Sequence, residues 1–113
     1  MNPPRKLDER ELEAGAELLR AFGHPLRLAI VLSIHEHGTR CVHELVEELG
    51  AAQPLVSQHL RTLRGASVLS GERRGKEIAY SLVDHHVIHI ALDAIEHANE
   101  ATPHGPNPKG ISA

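Results

Sequence analysis

The segment CVHELVEELGAAQPLVSQHLRTLRGA, residues 41–66, constrains the fold of this chain more than any other feature. Aliphatic residues recur at helical spacing in each half of the segment, and GAAQ separates the two halves. A short helix, a tight turn containing Gly50 and a second helix make a helix-turn-helix. The aliphatic residues that we expect to face inward are Val42, Leu45, Val46, Leu49, Leu55, Val56, Leu60 and Leu63.

The residues before this segment indicate two further helices. Apolar residues recur at helical spacing from residue 8 to about 22, with acidic residues in the first turn, where they complement the helix dipole. GHP at residues 23–25 interrupts this pattern, and Pro25 suits the first position of the next helix. Gly38 then predicts that the second helix ends near residue 37.

A hairpin and a last helix are predicted after the segment. Residues 67–71 and 77–82 favour strands, and RRGK between them indicates a hairpin turn in which Gly75 takes a positive φ. Asp84 is a good N-cap for a helix that runs to Glu100. The predicted fold class is therefore mainly α with a small β-hairpin, the winged variant of the helix-turn-helix.

The chain length predicts one domain. A core within 113 residues is small, so a homodimer that adds buried surface is expected. We expect the domain over residues 7–102, with flexible tails, rich in Pro, Gly and polar residues, over residues 1–6 and 103–113. No apolar run approaches the roughly 18 residues of a membrane span, and MNPPRKLDER contains no secretion signal, which predicts a cytoplasmic protein without membrane contact.

The charge distribution favours a nucleic-acid partner even though the whole chain has a net charge of −3. Residues 53–80 contain five basic and two acidic residues, a local net charge of +3, and such a basic face suits phosphates. The second helix of a helix-turn-helix enters the major groove, and the hairpin tip suits an adjacent minor groove or its backbone. The predicted DNA contacts are Gln53, Ser57, Gln58, His59, Arg61, Arg64, Arg73, Arg74 and Lys76.

Each of these side chains alone is typical of a solvated helix or turn surface. Together, on this scaffold, they favour contact with double-stranded DNA, because Gln pairs with adenine and Arg pairs with guanine or a phosphate.

The last helix carries four of the ten histidines. His86 and His97 are 11 residues apart, which places them on nearly the same face but about 16 Å apart along the axis at ~1.5 Å per residue. One zinc ion cannot reach both, whereas two antiparallel copies of the helix bring His86 of one subunit to His97 of the other. Asp84 and Glu100 add a carboxylate at each end, which completes a set of four ligands that zinc accepts.

The same helix carries a predicted dimer seam at helical spacing, made by Val87, Ala91, Ala94, Ile95 and Ala98. His85 and His89 lack an obvious carboxylate partner and are expected to be exposed, and His104 lies in the predicted tail. From spacing alone, a polar helix surface explains the four predicted ligands as well as a metal site does.

The chain resembles the ArsR/SmtB family of metal-sensing winged-helix repressors, and within it the zinc-responsive SmtB-type branch. CVHELVEELGAAQPLVSQHLRTLRGASVL is similar to the helix-turn-helix of that family, GERRGKEIAYSL to its wing and DHHVIHIALDAIEHANE to its C-terminal sensing helix. LLRAFGHPLRLAIVL is similar to the segment before them. The C-terminal metal motif of the family, D-x-H, ten residues, H, two residues and an acid or His, is matched by Asp84, His86, His97 and Glu100.

The resemblance implies a homodimer that occupies operator DNA when metal-free and releases it when zinc binds between the C-terminal helices. Cys41 stands at the cysteine position of a second metal site in the family, followed by His43. The first 20 residues contain no Cys or His, so the N-terminal half of that site is missing and Cys41 is interpreted as structural or incidental.

Three other readings remain. An enzyme with a catalytic zinc is disfavoured because four protein ligands leave no position for water, and because no substrate pocket or nucleophile motif is recognisable. A metal store without DNA binding is disfavoured by the basic helix and hairpin. The serious alternative is the same repressor with nickel or cobalt as the effector, with His85, His89 or His104 completing six ligands.

Overall fold

The computed structural model describes residues 6–100. Its elements, in chain order, are α1 (Glu9–Ala21), α2 (Pro25–His37), β1 (Arg40–Cys41), α3 (Val42–Leu49), α4 (Gln53–Gly65), β2 (Leu69–Arg74), β3 (Glu77–Leu82) and α5 (His85–Asn99). The predicted C-terminal tail with His104, and the predicted N-terminal tail except Lys6, lie outside the described residues. The predicted class, mainly α with a β-hairpin in a winged helix-turn-helix, is confirmed.

Local capping explains where the first two helices begin. The Asp8 carboxylate accepts a hydrogen bond from the Glu11 backbone N–H at 2.9 Å, and the Glu11 carboxylate accepts one from the Asp8 N–H at 3.0 Å. Pro25 occupies the first turn of α2, as predicted, and His24 precedes it as the N-cap. The His24 Nδ1 accepts a hydrogen bond from the Leu26 N–H at 3.0 Å, which satisfies one of the free donors of that helix end.

A single core lies between α2, α3, α4, the sheet and α5. Its most buried side chains are Ile30, Val31, Leu45, Val56, Leu60, Leu63 and Val68, each 0% exposed. Burial of each Leu, Ile or Val contributes about 1.5–3 kcal/mol, so this cluster stabilises the placement of α3 and α4. The prediction that Leu55 faces inward is wrong: it is 42% exposed because it lies in the first turn of α4, at the edge of the core.

The sheet has three antiparallel strands in the order β1-β3-β2. Strand β2 extends to Arg74, which pairs with Glu77, so the turn contains just Gly75 and Lys76 instead of all of RRGK. Gly75 has φ +62° at the first central position, where a two-residue hairpin turn requires a positive φ. Strand β1 was not predicted, because two residues are too few to show a strand period.

Much of the apolar surface of α1 and α5 is not covered within one chain. Leu12 and Leu19 of α1 are 58% and 63% exposed, and Leu92 of α5 is 40% exposed. Part of the predicted dimer seam is wrong, since Val87 (4% exposed) and Ala91 (0%) are in the core of their own chain. The first half of α5 packs against α2 and β3, and beyond it Ala94 and Ala98 are exposed.

Among residues 6–100, no helix combines the length and the apolar character that a membrane-crossing helix requires.

Candidate nucleic-acid interface and metal site

The turn between α3 and α4 determines the orientation of α4 relative to α3. Gly50 ends α3 in the left-handed conformation with φ +65°, and its N–H donates to the carbonyl of Val46 at 3.0 Å. Ala52 is the N-cap of α4, and Pro54 lies in its first turn. One side of α4 packs against the core through the buried Val56, Leu60 and Leu63. The opposite side of the helix is exposed to solvent.

We call the outward side of α4 together with the hairpin the α4–hairpin surface. Gln53, Gln58 and Arg61 are exposed and Ser57 is half-buried. A groove of about 410 Å³ separates α4 from the hairpin, and its lining includes Gln53, Ser57, Arg61, Arg64 and Lys76. Side chains predicted separately on a helix and at a turn are therefore brought to one surface.

Arg64 joins the two parts of this surface. A Cβ atom at Gly71 in β2 would lie 3.3 Å from the Arg64 Cζ and Nη1 atoms and 2.9 Å from Ile78 Cγ2. The absence of a side chain at Gly71 therefore gives the guanidinium room to lie against the hairpin. Arg64 can support the relative position of α4 and the hairpin in addition to its predicted DNA contact.

The hairpin end of the surface is basic and exposed. Arg73, Arg74 and Lys76 are all exposed, and Arg74 approaches Glu72 at 3.5 Å in a solvent-exposed pair of small energetic weight. Glu77, just after the tip, accepts a hydrogen bond from the His43 Nδ1–H of α3 at 2.7 Å. That contact raises the pKa of His43, because Glu77 favours the charged imidazole.

The prediction that His59 faces DNA is wrong. Its side chain is 6% exposed, and its Nδ1 lies 3.0 Å from the Arg27 Nη1 of α2. Burial, with the nearby His24 and Arg27, lowers the pKa of His59. The sequence contained the signal: His59 is three residues after Val56 and four before Leu63, which puts it on the buried stripe of α4.

Cys41 is the N-cap of α3 and lies beside a network of side-chain hydrogen bonds. The Cys41 N–H donates to the Glu44 carboxylate at 2.8 Å, which caps α3, and burial, Glu77 and Glu44 raise the pKa of the thiol. Arg40 donates to Glu48 at 2.8 Å, and the Ser33 hydroxyl also donates to Glu48. Sequence reasoning missed this Ser33–Arg40–Glu48 network because its members are far apart in sequence.

One predicted ligand pair lies at the start of α5. The Asp84 Oδ1 accepts hydrogen bonds from the His86 N–H at 2.9 Å and the Val87 N–H at 3.3 Å, as expected for an N-cap. The other oxygen, Oδ2, lies 3.6 Å from the His86 Nδ1. The cap therefore holds a carboxylate and an imidazole, the latter 87% exposed, side by side at this end of α5.

The other predicted pair lies at the end of α5. The His97 Nδ1 is 3.9 Å from the Glu100 Oε1, and the His97 side chain is 88% exposed. Among residues 6–100, no group of three or more His, Cys, Asp or Glu side chains could hold a metal ion within one chain. Each end of α5 thus brings one imidazole nitrogen and one carboxylate oxygen together, and both are donor types that zinc accepts.

The sequence and the fold were compared with those of known proteins. The family model "Bacterial regulatory protein, arsR family" matches residues 24–70. The HTH-type transcriptional repressor SmtB of Mycobacterium tuberculosis is 55% identical over 98 residues, which cover 87% of this chain and 69% of the relative.

Solved structures agree with this similarity. The crystal structure of the transcriptional repressor PagR of Bacillus anthracis has a TM-score of 0.69 at 38% identity and covers 77% of this chain and 99% of PagR. A homodimeric winged helix-turn-helix DNA-binding domain from Mycobacterium bovis has a TM-score of 0.74 at 20% identity, covers 95% of this chain and 98% of that domain, and shows the shared fold. The chain therefore belongs to the ArsR/SmtB family of DNA-binding transcriptional repressors and is a regulator, not an enzyme.

Proposed function

We propose that this repressor binds operator DNA as a metal-free homodimer and releases it when zinc binds between the α5 helices of its two subunits. The observation that carries the proposal is the pair of half-sites on α5. Each joins one exposed imidazole to one carboxylate, at 3.6 Å for His86 and Asp84 and at 3.9 Å for His97 and Glu100. Neither half-site alone satisfies four-coordinate zinc.

A second subunit supplies what each half-site lacks. Two α5 helices lying antiparallel across a twofold axis bring the Asp84–His86 end of one to the His97–Glu100 end of the other, which makes two equal sites. The exposed apolar residues of α1 and α5, including Leu12, Leu19 and Leu92, support a dimer because burying them removes apolar surface from water. Zinc supplies a link between subunits when it is bound.

DNA binding is assigned to the α4–hairpin surface. Arg61, Arg64, Arg73, Arg74 and Lys76 are exposed on one side of the molecule and suit phosphates and guanine edges. Gln53, Ser57 and Gln58 stand on the same side of α4, where they suit base edges and phosphates. His59 is not part of this assignment because it is buried.

Release follows from linkage between the two sites. Residues that share zinc across the twofold axis favour one relative placement of the two subunits, and that placement must fit successive major grooves less well than the metal-free one. The coupling free energy is typically about 1–3 kcal/mol, and DNA must weaken zinc binding by the same factor.

Nickel or cobalt remains the alternative effector. His85 and His89 are exposed and four residues apart on α5, so they are available as additional ligands for a metal that prefers six. Coordination spectroscopy of the cobalt-substituted and nickel-bound protein separates the two cases, because tetrahedral geometry supports zinc and octahedral geometry supports nickel.

The His97→Ala substitution tests the proposed function. We expect operator affinity without metal to be unchanged and the zinc-induced weakening, about 5- to 150-fold in the unmodified protein, to be lost. The measurement is fluorescence anisotropy of labelled operator, titrated with and without zinc. His35→Ala, which removes an exposed histidine from α2, is the matched control and should keep the full zinc response. A His97→Ala protein that releases DNA at the same zinc concentration would contradict the site.

A further inference from the structure

Arg27 of α2 connects three helices through its guanidinium group. Its Nε donates to the Ala21 carbonyl at 2.7 Å, and its Nη2 lies 3.4 Å from the Arg20 carbonyl, both in the last turn of α1. Its Nη1 lies 3.0 Å from the Nδ1 of His59, on the buried face of α4. One half-buried guanidinium in the first turn of α2 therefore touches both α1 and α4.

The chemistry of the pair fixes the state of His59. Arginine can only donate hydrogen bonds, so the His59 Nδ1 must be the acceptor and the ring proton must lie on Nε2. The Nε2 atom is buried and has no hydrogen-bond partner in the described structure. A buried donor without a partner destabilises the fold, so His59 is not explained by the packing of α4 alone.

We infer that the Arg27–His59 hydrogen bond is a positioning contact that holds the recognition helix α4 to the end of α1, so that operator affinity depends on it although neither side chain reaches DNA. The exposed leucines of α1 place that helix where a second subunit is expected. The contact therefore connects the placement of the subunits to the placement of α4. This inference rests on the DNA-binding role of the family and does not depend on the proposed zinc site.

The contact is sensitive to pH because only the neutral imidazole can accept from Arg27. The charged or titratable groups that act on His59 are His24, whose ring centroid is 4.3 Å away, and Arg27, and both are basic. Together with burial, they lower the pKa of His59 below its ordinary value of 6.5. The bond is therefore complete above pH 6.5 and is lost as the pH falls through the lowered pKa.

Two substitutions of His59 separate positioning from packing. His59→Asn keeps an acceptor oxygen near the place of Nδ1 but cannot be protonated, whereas His59→Leu fills the space and removes the acceptor. Neither substitution changes the net charge near neutral pH. A change in operator affinity therefore cannot come from a weaker overall electrostatic attraction to DNA. His35→Asn, on the exposed surface of α2, is the matched control for histidine titration.

The experiment measures operator affinity of the metal-free dimer from about pH 7.5 down through the midpoint of the His59 titration, which NMR of the unmodified protein locates. At the upper end, His59→Leu should bind operator about tenfold more weakly than the unmodified protein, and His59→Asn should bind within about twofold of it. On acidification, the affinity of the unmodified protein and of His35→Asn should fall relative to that of His59→Asn.

The inference is overturned if folded, dimeric His59→Leu binds operator as tightly as the unmodified protein. It is equally overturned if the affinity of His59→Asn has the same pH profile as that of the unmodified protein. Should His59→Leu fail to fold, as judged by circular dichroism, the pH profile of His59→Asn decides the question. Because zinc is absent throughout, neither result depends on whether the α5 site exists.

Discussion

The α4–hairpin surface and the α5 half-sites differ in how much of each is complete within one chain. On the α4–hairpin surface, two elements pack over a common core and enclose a groove lined by Arg61, Arg64 and Lys76. On α5, the two pairs of potential ligands lie at opposite ends of a 15-residue helix, with His86 and His97 almost fully exposed. The α4–hairpin surface is therefore complete in one protomer, whereas the proposed metal site needs a second subunit.

Under the proposed function, this difference lets metal binding change the arrangement of the two subunits. A site that is complete in one chain does not depend on that arrangement, whereas a site divided between two chains does. The difference also predicts which substitutions act on the assembly of the dimer and which act on DNA contact.

A substitution on the apolar face of α1 should have the largest effect on assembly of the dimer. Leu12→Glu should leave the protomer folded, because Leu12 is 58% exposed, yet raise the dimer dissociation constant by at least about a hundredfold by burying a carboxylate at the interface. Sedimentation equilibrium measures the change. Ala14→Glu, two residues away on the opposite face of α1, should leave the dimer intact. Equal dimer stability in both variants would show that α1 does not face the partner.

Substitutions at the hairpin tip test whether the α4–hairpin surface contacts DNA. Replacing both Arg73 and Arg74 with Ala should weaken binding to every DNA sequence by about tenfold or more. The slope of log affinity against log salt concentration should become smaller by about 2, because each lost phosphate contact removes about 0.9 from it. Anisotropy titrations at several salt concentrations measure this. Arg10→Ala, an exposed charge on α1, is the control. An unchanged slope would exclude the hairpin from DNA.

The smallest effect is expected at the His43–Glu77 contact, which joins α3 to β3 at 2.7 Å within one chain. Glu77 raises the pKa of His43, so the contribution of the pair to stability is present at low pH and is lost as the pH rises through that raised pKa. Glu77→Gln should lower the midpoint of the His43 titration, measured by NMR in metal-free protein. Identical midpoints would mean that the pair does not form in solution.

The parts of the fold that could be predicted from sequence are those determined by nearby residues. Asp8, Pro25 and Asp84 each mark a helix start through local caps or a fixed φ, and the structure has helices beginning beside all three. Strand β1 could not be predicted, because its two residues are held by pairing with β3, a partner distant in sequence.

In the candidate sites, too, features determined by nearby residues could be predicted, and contacts with distant residues could not. The exposure of Gln53, Gln58 and Arg61 follows from the helical period, and so does the burial of His59. The hydrogen bond between His59 and Arg27 does not, because Arg27 is 32 residues earlier in the chain. Val87 and Ala91 match an apolar seam by spacing, yet the first half of α5 packs them into its own protomer. Spacing identifies a face of a helix but does not determine which neighbour covers it.

Mixing two inactive variants tests whether each proposed metal site is shared between the two subunits. His86→Ala and His97→Ala subunits carrying different affinity tags are co-refolded, and the heterodimer is isolated by both tags. Twofold symmetry predicts that it contains one intact site, formed by His86 of one subunit and His97 of the other, and one doubly damaged site. It should bind one zinc ion tightly and regain zinc-dependent release of operator, while neither parent homodimer does. A heterodimer that binds no zinc tightly, or parent homodimers that keep the zinc affinity of the unmodified protein, would contradict a site divided between the two chains.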